Sequence, residues 1–175
     1  MRLFIGLPVP PELARALVRF TQSMELPKAR LTPPENIHLT LVFLGEVAEL
    51  TVPLIDRELS ELTFAPFHLQ LTGLSTFQRA GVLFAEIEPA QTLLQLQARV
   101  AASMARCGFA PEDRPYHPHL TLARFRGPLR RKVSVLPASL QRGFPVDAVN
   151  LYRSSLSPNG SHYEVLIRRS ATRSE

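Results

Sequence analysis

Apolar residues fall into short blocks along the chain, and their spacing separates strands from helices. Residues 2–7 (RLFIGL) are a nearly continuous apolar run closed by Pro8, the pattern of a buried strand. Pro10 and Pro11 then open a helix, because proline fits the first helical turn, where the N–H has no intrahelical acceptor. Leu13, Leu17, Phe20 and Met24 recur at helical spacing and mark its inner face. Residues 36–44 (NIHLTLVFL) predict a strand ended by Gly45. Residues 50–62 predict a helix with Leu54, Leu59 and Leu62 inward, and 67–73 (FHLQLTG) alternate as a strand does.

The second half repeats the order. A strand over 82–88 is followed by a helix over 90–106, with Leu93, Leu96, Val100 and Met104 on one face and Gly108 as its stop. Residues 117–125 (HPHLTLARF) predict a strand, and a short helix is expected around 129–142. Strands over 146–156 and 161–169 are joined by the turn signal SPNG, and the tail from Ser170 is polar. Each half thus reads strand, helix, strand, helix, strand. The expectation is an α+β fold: one two-lobed domain over 1–175, two mainly antiparallel sheets flanking a central cleft, a pseudo-twofold internal duplication and outer helices.

The middle strand of each half carries the same four residues: His38-Leu39-Thr40-Leu41 and His119-Leu120-Thr121-Leu122. Alternate side chains of a strand share a face, so the leucines anchor each strand while His and Thr point together to the other side. Histidine has the ordinary pKa nearest neutrality. Two imidazoles on one reactive atom can divide the work, one taking a proton from the nucleophile and the other giving one to the leaving group. Attack on phosphorus is roughly in line, so the pair belongs on opposite sides of a phosphate. The threonine hydroxyls would then lie beside the non-bridging oxygens.

Composition narrows the class. With 45% hydrophobic and 20% charged residues among 175, the chain is too apolar for disorder and is expected to be globular and cytoplasmic. It has no apolar run long enough for a membrane helix and a start unlike a signal peptide. A single cysteine, Cys107, excludes an internal disulfide framework and any multi-cysteine metal site. The net charge of +5 is uneven: residues 1–88 carry seven basic and ten acidic residues, whereas 89–175 carry thirteen and five. That asymmetry favours an anionic partner. Eighteen of the 20 basic residues are arginine, the side chain suited to bidentate phosphate contacts.

Two H-x-T-x motifs about 80 residues apart resemble the signature of the two-histidine phosphoesterases. NIHLTLVFLGEV, YHPHLTLARF, the N-terminal RLFIGLPVP and the closing YEVL (Tyr163–Leu166) resemble the RNA 2′,3′-cyclic phosphodiesterase branch, also called the 2′-5′ RNA ligase family. The resemblance spans nearly the whole chain. It implies hydrolysis of an RNA 2′,3′-cyclic phosphate to a 2′-phosphomonoester without metal or other cofactor. It makes His38 the proton donor and His119 the acceptor, with Thr40 and Thr121 on phosphate oxygens. Ligation of RNA through a 2′-5′ bond without ATP is the reverse reaction. The implied partner is RNA with a 2′,3′-cyclic phosphate end, tRNA halves among them, acted on by a monomer with no membrane association.

Arg124, in the same L-A-R context, is a candidate phosphate ligand, although strict alternation puts it on the face opposite His119. Arg126, Arg130, Arg131 and Lys132 are candidates to steer the RNA backbone. His117, His119 and His38 could also be read as three zinc ligands, but no Asp, Glu or Cys stands nearby in a ligand pattern. Phe43 and Tyr163 are expected to pack in the core, and His117 at the cleft rim. Two alternatives use the same residues: an RNA-binding module with little catalysis, and a phosphodiesterase acting on a small cyclic nucleotide or an ADP-ribose cyclic phosphate.

Overall fold

The structure, a computed structural model, describes residues 1–26, 28–129, 135–158 and 160–172. In chain order the elements are β1 (Arg2–Pro8), α1 (Pro11–Ser23), β2 (Ala29–Leu31), β3 (His38–Glu46), α2 (Val52–Ser60), β4 (Phe67–Phe77), β5 (Val82–Ile87), α3 (Gln91–Arg106), β6 (His119–Phe125), β7 (Gly143–Val146), β8 (Ala148–Ser157) and β9 (Gly160–Ser170). This is an α+β fold in which every strand pairing is antiparallel.

The strands run β7-β4-β5-β6-β3-β1-β8-β9, with β2 beside β6. The order places four strands on either side of the β3–β6 junction, with a motif strand innermost on each side. There the two groups meet through a single residue pair, Leu39 with Leu120. One lobe is β3-β1-β8-β9 and the other β6-β5-β4-β7, so the expected pseudo-twofold holds in the sheet. The lobes are not the two halves of the chain, however. β4 comes from the first half and joins the second lobe, while β8 and β9 come from the second half and close the first.

Helices cross between the lobes in the same way: α1 follows β1 but packs against β6, and α3 follows β5 but packs against β3. The core is correspondingly continuous. Leu39, Leu120, Leu3, Leu83, Leu17 and Val100 are fully buried in one cluster. Burying a leucine of this kind contributes about 2 kcal/mol.

α1 begins as its sequence dictates, with Pro11 in the first turn and Glu12 near the positive end of the helix dipole. α3 ends in a Schellman turn. Gly108 takes φ +89°, its N–H donates to Ala105 O (3.0 Å), and the Phe109 N–H donates to Met104 O (3.0 Å).

Three expectations need correction. Leu54 is 41% exposed, and Ile55 takes the buried place on α2. The helix expected over 129–142 is absent from its described residues. Residues 135–142 form irregular chain and a turn, Pro137 accepting bonds from the N–H groups of Leu140 and Gln141. Residues 130–134 lie outside the described residues, and with them Arg130, Arg131 and Lys132. β2 and β7, too short to show a period, were not foreseen.

Candidate active site

β3 and β6 lie side by side at the centre of the sheet, and both motifs start at their first residues. Leu39, Leu41, Leu120 and Leu122 are buried, whereas His38, Thr40, His119 and Thr121 are half-buried on the opposite face. The Leu39–Leu120 pair sets the antiparallel register. Continued by one residue each way, it puts His38 across from Thr121 and Thr40 across from His119. The two histidines are then diagonal neighbours, whose spacing in a regular ladder is about 7–8 Å. All four side chains line one cavity of about 980 Å³.

Both imidazoles are held the same way. The Nδ1 of His38 is 2.7 Å from Asn36 O, and that of His119 is 2.7 Å from His117 O. A carbonyl only accepts, so Nδ1 carries the hydrogen in each ring and Nε2 is left as the working nitrogen. The Thr40 hydroxyl donates to His38 Nε2 at 2.9 Å. Among the described residues no protein group meets His119 Nε2. The Asn36 Nδ2 donates to Ser161 O at 2.6 Å, which ties the carbonyl beneath His38 to β9.

Aromatic walls surround both rings. His38 lies against Phe4 (ring centroids 4.6 Å), Tyr163 (5.1 Å) and Tyr152 (5.7 Å). His119 lies against Phe77 (5.0 Å) and Phe84 (5.1 Å). Burial holds the His38 pKa down to about 4 despite the Asn36 carbonyl, and the charges of His119 and Arg124 push the same way. Burial also lowers His119, opposed by the His117 carbonyl and assisted by the His117 and Arg124 charges. At pH 7 both rings are therefore neutral in the protein alone.

Backbone detail explains how β1 and β3 approach. A methyl group on Gly6 would sit 2.8 Å from Leu39 O and 3.4 Å from His38 Cδ2. Only glycine lets β1 lie this close beneath the first motif.

Arg124 reaches the cleft despite its parity. Between β5 and β6 the register steps from Leu83↔Ala123 to Phe84↔Thr121, so Leu122 is an extra residue, a β-bulge. The bulge resets the alternation: Ala123 turns inward and Arg124 is exposed at the cavity wall. β3 has the matching bulge. Its register against β1 steps from Ile5↔Val42 to Gly6↔Thr40, which makes Leu41 the extra residue. Phe43, five residues past its motif histidine as Arg124 is past its own, is turned outward too. It is 49% exposed and lines the cavity, so its expected place in the core is overturned. Tyr163 is likewise half-buried at the cavity wall against His38 rather than in the core.

His117 lies exposed on the cavity wall, and Arg126 is exposed without lining it. Among the described residues no three His, Cys, Asp or Glu side chains converge as metal ligands, so His38, His117 and His119 do not form such a set. Sequence reasoning missed Arg79 and Arg114, cavity-wall cations brought in by the β4–β5 turn and the loop before β6. It also missed Tyr116, whose hydroxyl donates to Thr40 O at 2.9 Å. Arg79 and Arg114 stand in no motif, and Tyr116, the first residue of YHPHLTLARF, lies outside the H-x-T-x core.

A mostly antiparallel α+β sheet with paired H-x-T-x strands opening on one cleft defines the two-histidine phosphoesterase class. Residues 9–157 match the model of the 2′-5′ RNA ligase superfamily, and the chain belongs to that family. It is 35% identical to an RNA 2′,3′-cyclic phosphodiesterase of Thermus thermophilus, covering 95% of this chain and 88% of that protein. It is 28% identical to the Escherichia coli protein of the same name, covering 98% and 97%. Among solved structures, E. coli LigT complexed with 3′-AMP superposes with a TM-score of 0.90 at 26% identity, covering 98% of both chains. TT0787 of T. thermophilus gives 0.82 at 33% identity, covering 97% of both. No helix among the described residues is long and apolar enough to cross a membrane.

Proposed function

We propose that the chain hydrolyses the 2′,3′-cyclic phosphate at the end of an RNA, leaving a 2′-phosphomonoester and a free 3′ hydroxyl. The observation that carries this is the motif quartet on the β3–β6 junction, with each Nδ1 tied to the carbonyl two residues back, which leaves each Nε2 as the nitrogen able to exchange a proton with substrate. The printed names of the relatives support the same substrate.

In the reaction, His119 Nε2 takes a proton from water as its oxygen bonds to phosphorus. The P–O3′ bond breaks, and O3′ takes a proton from His38 Nε2. Thr40 and Thr121 donate to the non-bridging oxygens, and Arg124 supplies a charge-assisted contact to the phosphate. The proton gained by His119 and the one lost by His38 exchange with solvent to restore the site. Ligation is not this hydrolysis run backwards: a 5′ hydroxyl takes the place of water and gives its proton to His119 as its oxygen bonds to phosphorus. O3′ again leaves with a proton from His38, so that RNA is joined through the 2′-5′ bond the family's name reflects.

We place the enzyme in the cytoplasm as a monomer, with tRNA halves among its substrates. The test is incubation of a short RNA ending in 2′,3′-cyclic phosphate, in the presence of a chelator, with identification of the product. His38→Ala and His119→Ala should each lower turnover by about 10²–10⁴-fold with RNA binding nearly intact. Release of a 3′-phosphate would reverse the leaving group and the donor assignment. Loss of turnover in chelator, restored by zinc, would overturn acid–base catalysis by the histidines.

A further inference from the structure

β3 and β6 pair only through Leu39 and Leu120, and past that point the motif strands separate. β2 takes the place beside β6, with Ala29, Arg30 and Leu31 opposite Phe125, Arg124 and Ala123. Residues directly opposite in an antiparallel pair share a face, so Arg30 stands on the same side as Arg124, with its Cβ about 5 Å away. Both residues are exposed, and Arg124 lines the cavity. Like charges directly opposite destabilise a sheet. Among the described residues neither guanidinium has a carboxylate partner, although Arg106, Arg153, Arg168 and Arg169 are all ion-paired. Arg30 is also held in place. A methyl group on Gly160, at the start of β9, would overlap the Arg30 guanidinium, with Cζ 2.8 Å away. Only glycine lets the guanidinium rest there. Gly160 is buried, and the neighbouring Ser161 O accepts the Asn36 bond beneath His38. The hairpin that supports the first histidine therefore also seats Arg30.

We infer that Arg30 and Arg124 form a two-phosphate cradle: Arg124 holds the cyclic phosphate, and Arg30 holds the phosphodiester that joins the terminal nucleotide to the rest of the RNA. This rests on the cyclic phosphodiesterase reading and adds its substrate class, an oligonucleotide rather than a mononucleotide. Two phosphates one nucleotide apart bring two negative charges to two neighbouring cations, so binding relieves the repulsion that the free protein carries. Arginine suits the role because its planar fork stays charged and meets phosphate oxygens in pairs. The contact is to the backbone and reads no base. Arg30 touches no reacting atom, so it holds ground state and transition state alike and acts on KM rather than kcat.

The experiment compares wild type, Arg30→Ala and Arg30→Lys on two substrates: uridine 2′,3′-cyclic phosphate with a free 5′ hydroxyl, and the dinucleotide UpU ending in 2′,3′-cyclic phosphate. Arg30→Ala should raise KM for the dinucleotide about tenfold with kcat little changed, the loss expected for one charge-assisted hydrogen bond. It should leave the mononucleotide untouched. Arg30→Lys keeps the charge and should recover part of the loss. A dinucleotide whose internal link is a neutral methylphosphonate should lose the same tenfold with wild type and nothing further with Arg30→Ala. Arg30→Ala should also make the dinucleotide KM less sensitive to salt, its log–log slope falling by about 0.7 for one lost contact to a single strand. An unchanged dinucleotide KM, equal losses on both substrates, or a methylphosphonate penalty that persists in Arg30→Ala would each overturn the cradle. The same cycle is read without turnover as binding of UpU ending in a 2′-phosphate. Coupling retained there, with no wild-type turnover of either cyclic phosphate, would sink the phosphodiesterase reading and leave the cradle standing.

Discussion

Phosphate binding between the motifs must raise the His38 pKa by about three units, because a group held near 4 cannot serve as an acid at neutral pH. Without an anion the His38 ring is pushed down chiefly by burial. A phosphate charge about 4 Å from Nε2, at an effective dielectric of about 20, contributes about 4 kcal/mol, or about three pKa units. The donor then titrates near 7 in the complex, matched to its task. The assay is NMR titration of the imidazole Cε1–H signals, with and without saturating nucleoside 2′-monophosphate. His38 is assigned by loss of its signal in His38→Asn. A rise of less than about one unit on binding would refute the electrostatic reasoning and, with it, the assignment of His38 as the acid.

Two further outcomes follow from the same geometry. His38 has a folded pKa of about 4 against 6.5 in the unfolded chain, so its contribution to stability is full above pH 6.5 and is lost as pH falls from 6.5 to 4. Urea unfolding at pH 7.5 and 4.5 should show wild type losing about 3 kcal/mol more than His38→Asn; equal losses would contradict the burial of the neutral ring. Gly6→Ala should press on Leu39 O and His38 Cδ2 and lower kcat about tenfold or more, with KM little changed, since small misplacements of a catalytic group are costly. Unaltered kinetics in this variant would mean that β1 does not set the position of His38.

Much of the site was legible because periodicity reports local structure well. The α3 face Leu93, Leu96, Val100 and Met104 is buried as its spacing predicts, and the leucines of both motifs lie opposite the histidines and threonines. What alternation cannot report is an inserted residue. Leu41 and Leu122 are ordinary strand residues in type, yet each is the extra member of a bulge, and everything beyond them changes face. That is why Arg124 was placed on the wrong side by counting and Phe43 was assigned to the core.

Tyr163 was misassigned for a different reason. Its place beside His38 depends on β9 closing the first lobe, a long-range pairing that no local window contains. Similarly, the halves of the sequence suggested the pseudo-twofold, but not that β4 and the β8–β9 pair would be exchanged between the lobes. The helix expected over 129–142 failed in its described part. There Pro137 and the turn through Leu140 lead directly into β7.

The most direct test is a structure with a nucleoside–vanadate complex, in which vanadium takes the five-coordinate geometry of phosphorus under in-line attack. His38 Nε2 and His119 Nε2 should each lie about 2.6–3.2 Å from a different apical oxygen, the ribose oxygen on the His38 side. Both rings on one side of the vanadium, or either Nε2 beyond hydrogen-bonding reach of an apical oxygen, would contradict acid–base catalysis by the pair.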